Sequence, residues 1–91
     1  MSKFTDKPIF GIDVAADFSI VAILSPNGDI YRKPFRINHN LKGFNHLVSE
    51  IEKVEKKFNM KAATFMESTG IYHLSLFHYL TNKGFDAFVI N

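Results

Sequence analysis

The sequence predicts a mixed α/β fold, a five-stranded sheet in the order 3-2-1-4-5 with two helices. Three observations predict it. First, three strand-like apolar runs follow one another through links so short that they must be hairpins. Two helical patterns then alternate with two further apolar runs, the arrangement of a strand, helix and strand joined by a parallel, right-handed crossover. Finally, two carboxylates, Asp13 and Glu67, each stand at the C-terminal end of one of these runs.

Size and composition bound the reading. A chain of 91 residues is one domain, spanning 1–91, and buries roughly 60 to 65% of its unfolded surface. Hydrophobic residues are 46% of the chain and ten are Phe, which is core material that a disordered chain lacks. Cysteine is absent, so neither a disulfide framework nor a thiolate metal site is available. No apolar run approaches the roughly 20 residues of a membrane span, and Met1 to Lys7 has no apolar signal segment. A soluble, cytoplasmic protein without a membrane partner is expected. A net charge of +2 selects no partner class. The run Phe88-Val89-Ile90-Asn91 stops in or just after a strand, so the chain reads as the N-terminal piece of a longer protein.

The first strand lies in Pro8 to Ala15, rich enough in Ile, Phe and Val to be buried on both faces. An unpaired buried carboxylate would cost several kcal/mol or take up a proton. Asp13 therefore sits at the wet end of its strand, binds a cation or has a partner. After Ala15-Ala16-Asp17 comes Phe18 to Leu24, apolar at both alternating sets of positions and read as an inner strand. Ser25-Pro26-Asn27-Gly28-Asp29 is a turn, with Pro presetting φ and Asn-Gly tolerating positive φ. The third strand, Ile30 to Ile37, carries Pro34, which cannot donate to a central ladder and so places the strand at an edge. Alternation puts Arg32, Pro34 and Arg36 on one face. With Lys33, His39 and Lys42, the two arginines form the basic concentration of the chain, read as protection of an exposed edge in preference to a phosphate patch.

Asn40 caps a helix whose Leu41, Phe44, Leu47, Val48, Ile51, Val54 and Phe58 recur at helical spacing, with a charged opposite face. Asn59 and Met60 end it. Ala62 to Met66 is a short strand running into Glu67. Ser68 or Thr69 caps a second helix, Ile71 to about Lys83, with Leu74, Phe77 and Leu80 buried and Ile71 and Tyr72 at its start in the core. Gly84 is its C-cap, and Phe85 to Ile90 is the last strand. His73 and His78, five apart, are poorly spaced for joint ligation.

If the strand ending in Glu67 lies parallel to the first, both carboxylates emerge at the same end of neighbouring strands, about 5 Å apart. Such strand ends gather ligand and catalytic groups in open α/β sheets. Two adjacent carboxylates repel, and sharing a proton or binding a hard divalent cation relieves the repulsion. Mg²⁺ prefers oxygen ligands and is commonly held by one or two carboxylates plus substrate phosphates. Asp13 and Glu67 are thus candidate metal ligands for phosphoryl transfer. Asp17, in the first hairpin, and Asp86, at the start of a strand, are poorly placed extras.

The stretches Phe10-Gly11-Ile12-Asp13-Val14-Ala15, Ser19-Ile20-Val21-Ala22-Ile23 and Met66-Glu67-Ser68-Thr69-Gly70-Ile71-Tyr72 resemble the N-terminal RuvC-like (DEDD) domain of insertion-sequence transposases and recombinases. That group includes bridge-RNA-guided and pilin-gene-inverting enzymes. The resemblance spans essentially the whole chain and implies a ribonuclease-H-like fold, truncated on its C-terminal side. It also implies acidic residues in the order Asp, Glu, Asp, Asp binding Mg²⁺, or Mn²⁺ in its place. The first Asp carries over to Asp13 and the Glu to Glu67. The last two aspartates, and a serine nucleophile from a separate C-terminal domain, have no match. The implied parent is a bacterial DNA-cleaving and strand-transferring enzyme, nucleoid-associated when acting, working as a homo-oligomer on DNA and in some members with a guide RNA. The fragment alone is expected to be inactive.

Two other readings compete. Sugar-kinase and actin-like ATPases also begin with a strand, an Asp and a hairpin, but that hairpin wraps phosphates and requires small residues beside the Asp. Val14-Ala15-Ala16-Asp17-Phe18 offers no Gly and puts a carboxylate in the way. In the second, Asp13 and Glu67 only cap turns, and the domain is a non-catalytic nucleic-acid-binding or assembly module.

Overall fold

The computed structural model describes residues 7–68 and 70–90. Along the chain run β1 (Ile9–Val14), β2 (Phe18–Leu24), β3 (Ile30–Asn38), α1 (Leu41–Phe58), β4 (Ala63–Ser68), α2 (Leu74–Asn82) and β5 (Asp86–Ile90). The strands form one sheet in the order β3-β2-β1-β4-β5, as the hairpin lengths and crossovers predicted. Pairing is antiparallel across β3, β2 and β1 and parallel across β1, β4 and β5.

Turn chemistry sets the two hairpins. In the first, the Ala15 N–H donates to Phe18 O at 2.9 Å, which closes the three-residue link between β1 and β2. In the second, Gly28 adopts φ 92° and its N–H donates to Ser25 O at 2.9 Å, while Asn27 Oδ1 accepts from the Asp29 N–H at 3.2 Å. The helix ends follow the same local rules. Asn40 Oδ1 accepts from the Gly43 N–H at 2.8 Å, satisfying an orphan donor of α1. Asn59 ends α1 in the left-handed region with φ 53°. At the end of α2, Gly84 has φ 87°, and the Phe85 and Gly84 amides donate to Leu80 O at 3.1 Å and Thr81 O at 3.0 Å. This pair of bonds is a Schellman closure, and it needs glycine for its positive φ.

One core joins one face of the sheet to both helices. Phe10, Ile12 and Val14 of β1 pack with Val21 and Ile23, Ile37, and Met66, under Leu47, Ile51 and Val54 of α1 and Leu76 and Leu80 of α2. The opposite face carries no helix among the described residues. This corrects the expectation that β1 and β2 are buried on both faces: Asp13, Ile20 and Ala22 are exposed. Both helices lie on the same side, so only alternate strand residues are covered.

Three further expectations change. Leu41, the first residue of α1, is exposed, and the buried stripe of the helix begins at Gly43 and Phe44. The second helix begins at Leu74, not Ile71, with His73 at its N-cap and no side-chain cap bond. Residues 70–73 form a turn instead, with Gly70 at φ 75°. Its buried stripe is Leu76 and Leu80, spaced by four, while Ile71, Tyr72 and Leu74 are exposed and Phe77 is half-buried. Thr69 and the Ser68 side chain, the expected caps, lie outside the description.

The third correction concerns Arg32. The β2–β3 ladder pairs Val21 with Phe35 but Ile23 with Arg32, so β3 has one more residue than β2 in this interval. Pro34 lies in that bulge, where its missing N–H costs no ladder bond. The extra residue turns Arg32 away from the face of Pro34 and Arg36 and toward α1. There its Nη1 donates to Glu50 Oε1 at 2.9 Å, and Lys53 Nζ reaches Glu50 Oε2 at 3.3 Å. Burial pushes the Glu50 carboxyl up, but the hydrogen bonds and positive charges of Arg32 and Lys53 outweigh it and hold the group below the usual carboxylate range.

Candidate functional site

The open face of the sheet carries a transverse row built from three ladders. Asp13 of β1 stands opposite Glu67 of β4 in parallel register and opposite Ile20 of β2 in antiparallel register. Ile20 in turn opposes Arg36 of β3, and Glu67 opposes Ile90 of β5. The row therefore reads Arg36, Ile20, Asp13, Glu67, Ile90 from edge to edge. Neighbouring strands lie about 4.8 Å apart, so the two carboxylates are side by side.

One row back, Gly11 of β1 lies between Ala22 and Phe65. These small and flat residues leave an open hollow of about 440 Å³ that Asp13, Glu67, Ile20 and Pro34 also line. A Cβ at Gly11 would meet nothing within 4 Å, so the missing side chain opens space in the hollow.

The electrostatics of the pair are simple. Both carboxylates are exposed, and no ion pair from a described Lys, Arg or His reaches either. Two like charges directly opposite on one ladder destabilise it. That cost is unrelieved by protein cations, and an oxygen-seeking cation would relieve it.

The other candidate residues stay apart. Asp17 is exposed in the first turn, where its carbonyl accepts from the His39 N–H at 3.0 Å. Asp86 opposes Ala63 at the start of β4, four residues before Glu67, and its carboxylate lies 3.9 Å from Lys61 Nζ. That offset places it about 13 Å from the pair along the strand. Among the described residues no group of three or more His, Cys, Asp or Glu could hold a metal. Among the described residues the carboxylates that line this hollow are Asp13 and Glu67.

The first turn beside Asp13 is firmly held. Ser19 is fully buried and its Oγ lies 2.7 Å from His39 Nε2, while His39 Nδ1 lies 3.1 Å from Ala16 O. His39 thus ties β3 to the β1–β2 turn and to the strand beside Asp13.

Sequence reasoning missed two relationships here. It did not place Arg36 in the row of Asp13 and Glu67, because that register depends on β2. It also left Glu50 unremarked, although a position three residues after Leu47 and one before Ile51 falls on the apolar stripe of α1.

Comparison with known proteins adds a family and a fold. The model of a DEDD transposase family typified by the IS110 element, described as "Transposase", matches residues 10–91. No curated protein matches the chain. Among solved structures, the Thermoplasma acidophilum Pelota protein superposes with a TM-score of 0.62 at 9% identity, over 100% of this chain and 29% of that one. The Archaeoglobus fulgidus Pelota gives 0.60 at 13% identity, over 96% of this chain and 27% of that one. At these identities the likeness is one of fold. The chain spans less than a third of the length of either Pelota protein.

Proposed function

This chain belongs to the DEDD transposase family, and from that premise we propose that it is the N-terminal part of the catalytic domain of a Mg²⁺-dependent DNA transposase or site-specific recombinase. In this reading the sheet is the core of a ribonuclease-H-like, RuvC-type fold. Asp13 and Glu67 are its first two acidic ligands. The observation that carries the reading is the in-register placement of Asp13 against Glu67 on the exposed face.

The donor set fits a hard divalent ion. Both donors are carboxylates, they are adjacent, and they sit in an open hollow with room for water and a phosphate oxygen. When bound, such an ion supplies charge neutralisation at the phosphate and activation of the attacking oxygen. The chain itself holds the two carboxylates at fixed spacing on neighbouring strands. It also keeps the floor of the hollow low through Gly11 and Ala22.

The family pattern calls for two more aspartates and a serine that have no counterpart in residues 1–91. Residues 1–91 alone are therefore expected to be inactive, and we assign DNA cleavage and strand transfer, oligomeric assembly and any guide RNA to an assembly that supplies those missing groups. A phosphate-wrapping ATPase hairpin finds no support here, because the Ala15 amide that would approach a phosphate already donates to Phe18 O. Among the described residues no helix is long and apolar enough to cross a membrane.

Mn²⁺ titration of this chain, followed by paramagnetic broadening of backbone amide signals, tests the metal site. Amides around Asp13 and Glu67 are expected to broaden together at low millimolar metal, and Asp13→Asn is expected to abolish the effect. Broadening confined to the acidic positions of α1, Glu52 and Glu55, would overturn the assignment.

A further inference from the structure

We infer that Arg36 and Lys42 grip the backbone of a DNA strand that crosses the end of β3 on its way to Asp13 and Glu67. The choice of DNA rests on the transposase reading; the choice of surface rests on geometry. Arg36 stands on the open face in the same row as the two carboxylates, two strands from Asp13. The separation is therefore about 10 Å.

The guanidinium of Arg36 is pre-organised. It lies over the Phe18 ring, 4.1 Å from the centroid, and its Nε donates to Asn38 Oδ1 at 3.3 Å. No described carboxylate pairs with it, in contrast to Arg32, which Glu50 holds on the helix side. A planar, stacked fork with free outer N–H groups matches the paired oxygens of a phosphate. Edge protection, the reading that composition favoured, does not require a guanidinium laid flat across the sheet face.

The surface continues around the β3 edge into a hollow of about 280 Å³ bordered by Arg36, Asn38, Lys42 and His46, with no acidic residue in its lining. Gly43 permits the close approach that shapes it, since a Cβ there would lie 2.0 Å from Asn38 O. Anions are thus drawn to one end of the row and repelled from the other. A polyanion lying across the row is held at Arg36 and Lys42, and its next phosphates reach the carboxylate pair, where a cation is needed.

The test is the salt dependence of binding of the 91-residue chain to a fluorescent duplex DNA of arbitrary sequence, in the presence of EDTA. With two phosphate contacts, affinity is expected to fall at least about tenfold between 50 and 200 mM salt. Arg36→Gln and Lys42→Gln are each expected to cut that loss to about threefold, lowering the salt slope by about one. Arg36→Lys keeps the charge and is expected to retain the slope with weaker binding, which separates loss of a contact from loss of folding. Lys57→Gln removes the same charge about 22 Å away along α1 and is expected to change nothing. An unchanged slope in Arg36→Gln, an equal drop in Lys57→Gln, tighter binding of RNA of the same sequence, or equal competition by poly-glutamate would each overturn the proposal. Because metal is absent, failure here leaves the Mn²⁺ result at Asp13 and Glu67 untouched, and failure of that result leaves the salt slopes untouched.

Discussion

Asp13 and Glu67 are Cα partners in the parallel β1–β4 ladder, so two exposed carboxylates face each other across a single strand spacing. Like charges placed this way work against the sheet that positions them. Asp13→Asn and Glu67→Gln are each expected to raise stability by about 0.2 to 1 kcal/mol in urea unfolding. A loss of about 1 kcal/mol or more in both would mean that the carboxylates cap turns or have partners, and the metal reading would lose its physical basis.

Glu50 gives the fold an acid-sensitive contact. Its carboxyl is held below the ordinary range in the folded state, against about 4.3 when unfolded. A depressed folded value contributes stability that is fully present above the unfolded value and is lost as pH falls through the folded one. Unfolding midpoints should therefore drop below about pH 4 in the parent. Glu50→Gln should flatten that part of the profile, while Arg32→Met should cost about 1 to 3 kcal/mol at neutral pH by leaving a buried acceptor short of a donor. An identical acid limb in Glu50→Gln would assign the sensitivity to other groups.

Two glycines should respond to alanine in opposite directions. At Gly43 the gain in helix propensity is about 1 kcal/mol. The new Cβ, however, would lie 2.0 Å from the backbone oxygen of Asn38, so α1 must shift off β3. Overpacking of this kind costs about 1 to 3 kcal/mol or more, and a backbone contact this short places the cost at the upper end, so net destabilisation is expected. At Gly11 nothing lies within 4 Å and φ is not positive, so Gly11→Ala should stabilise β1 by about 0.5 to 1 kcal/mol. Urea denaturation of the two variants side by side checks both signs.

Much of the architecture is written locally. The three-residue link after Val14 and the Asn27-Gly28 turn leave β1, β2 and β3 no choice but consecutive antiparallel pairing. The apolar stripe of α1 and the Asn40 cap follow from spacing and from one side chain. The sequence itself carries the carboxylates at the ends of two strands and the motifs that resemble the transposase family.

What the tertiary structure alone decided is how those pieces face one another. Alternation says that Phe10, Ile12 and Val14 share a face; it does not say which face the helices cover, and both helices cover the same one. Arg32 left the face of Arg36 because a bulge at Pro34 shifts the pairing with β2 by one residue, and a one-residue shift reverses a side chain. Glu50 became a buried ion partner only once that reversal brought Arg32 to α1. In each case the deciding quantity is a register between segments distant in sequence. Such a register is set by packing, whereas local propensity determines only the elements that are packed.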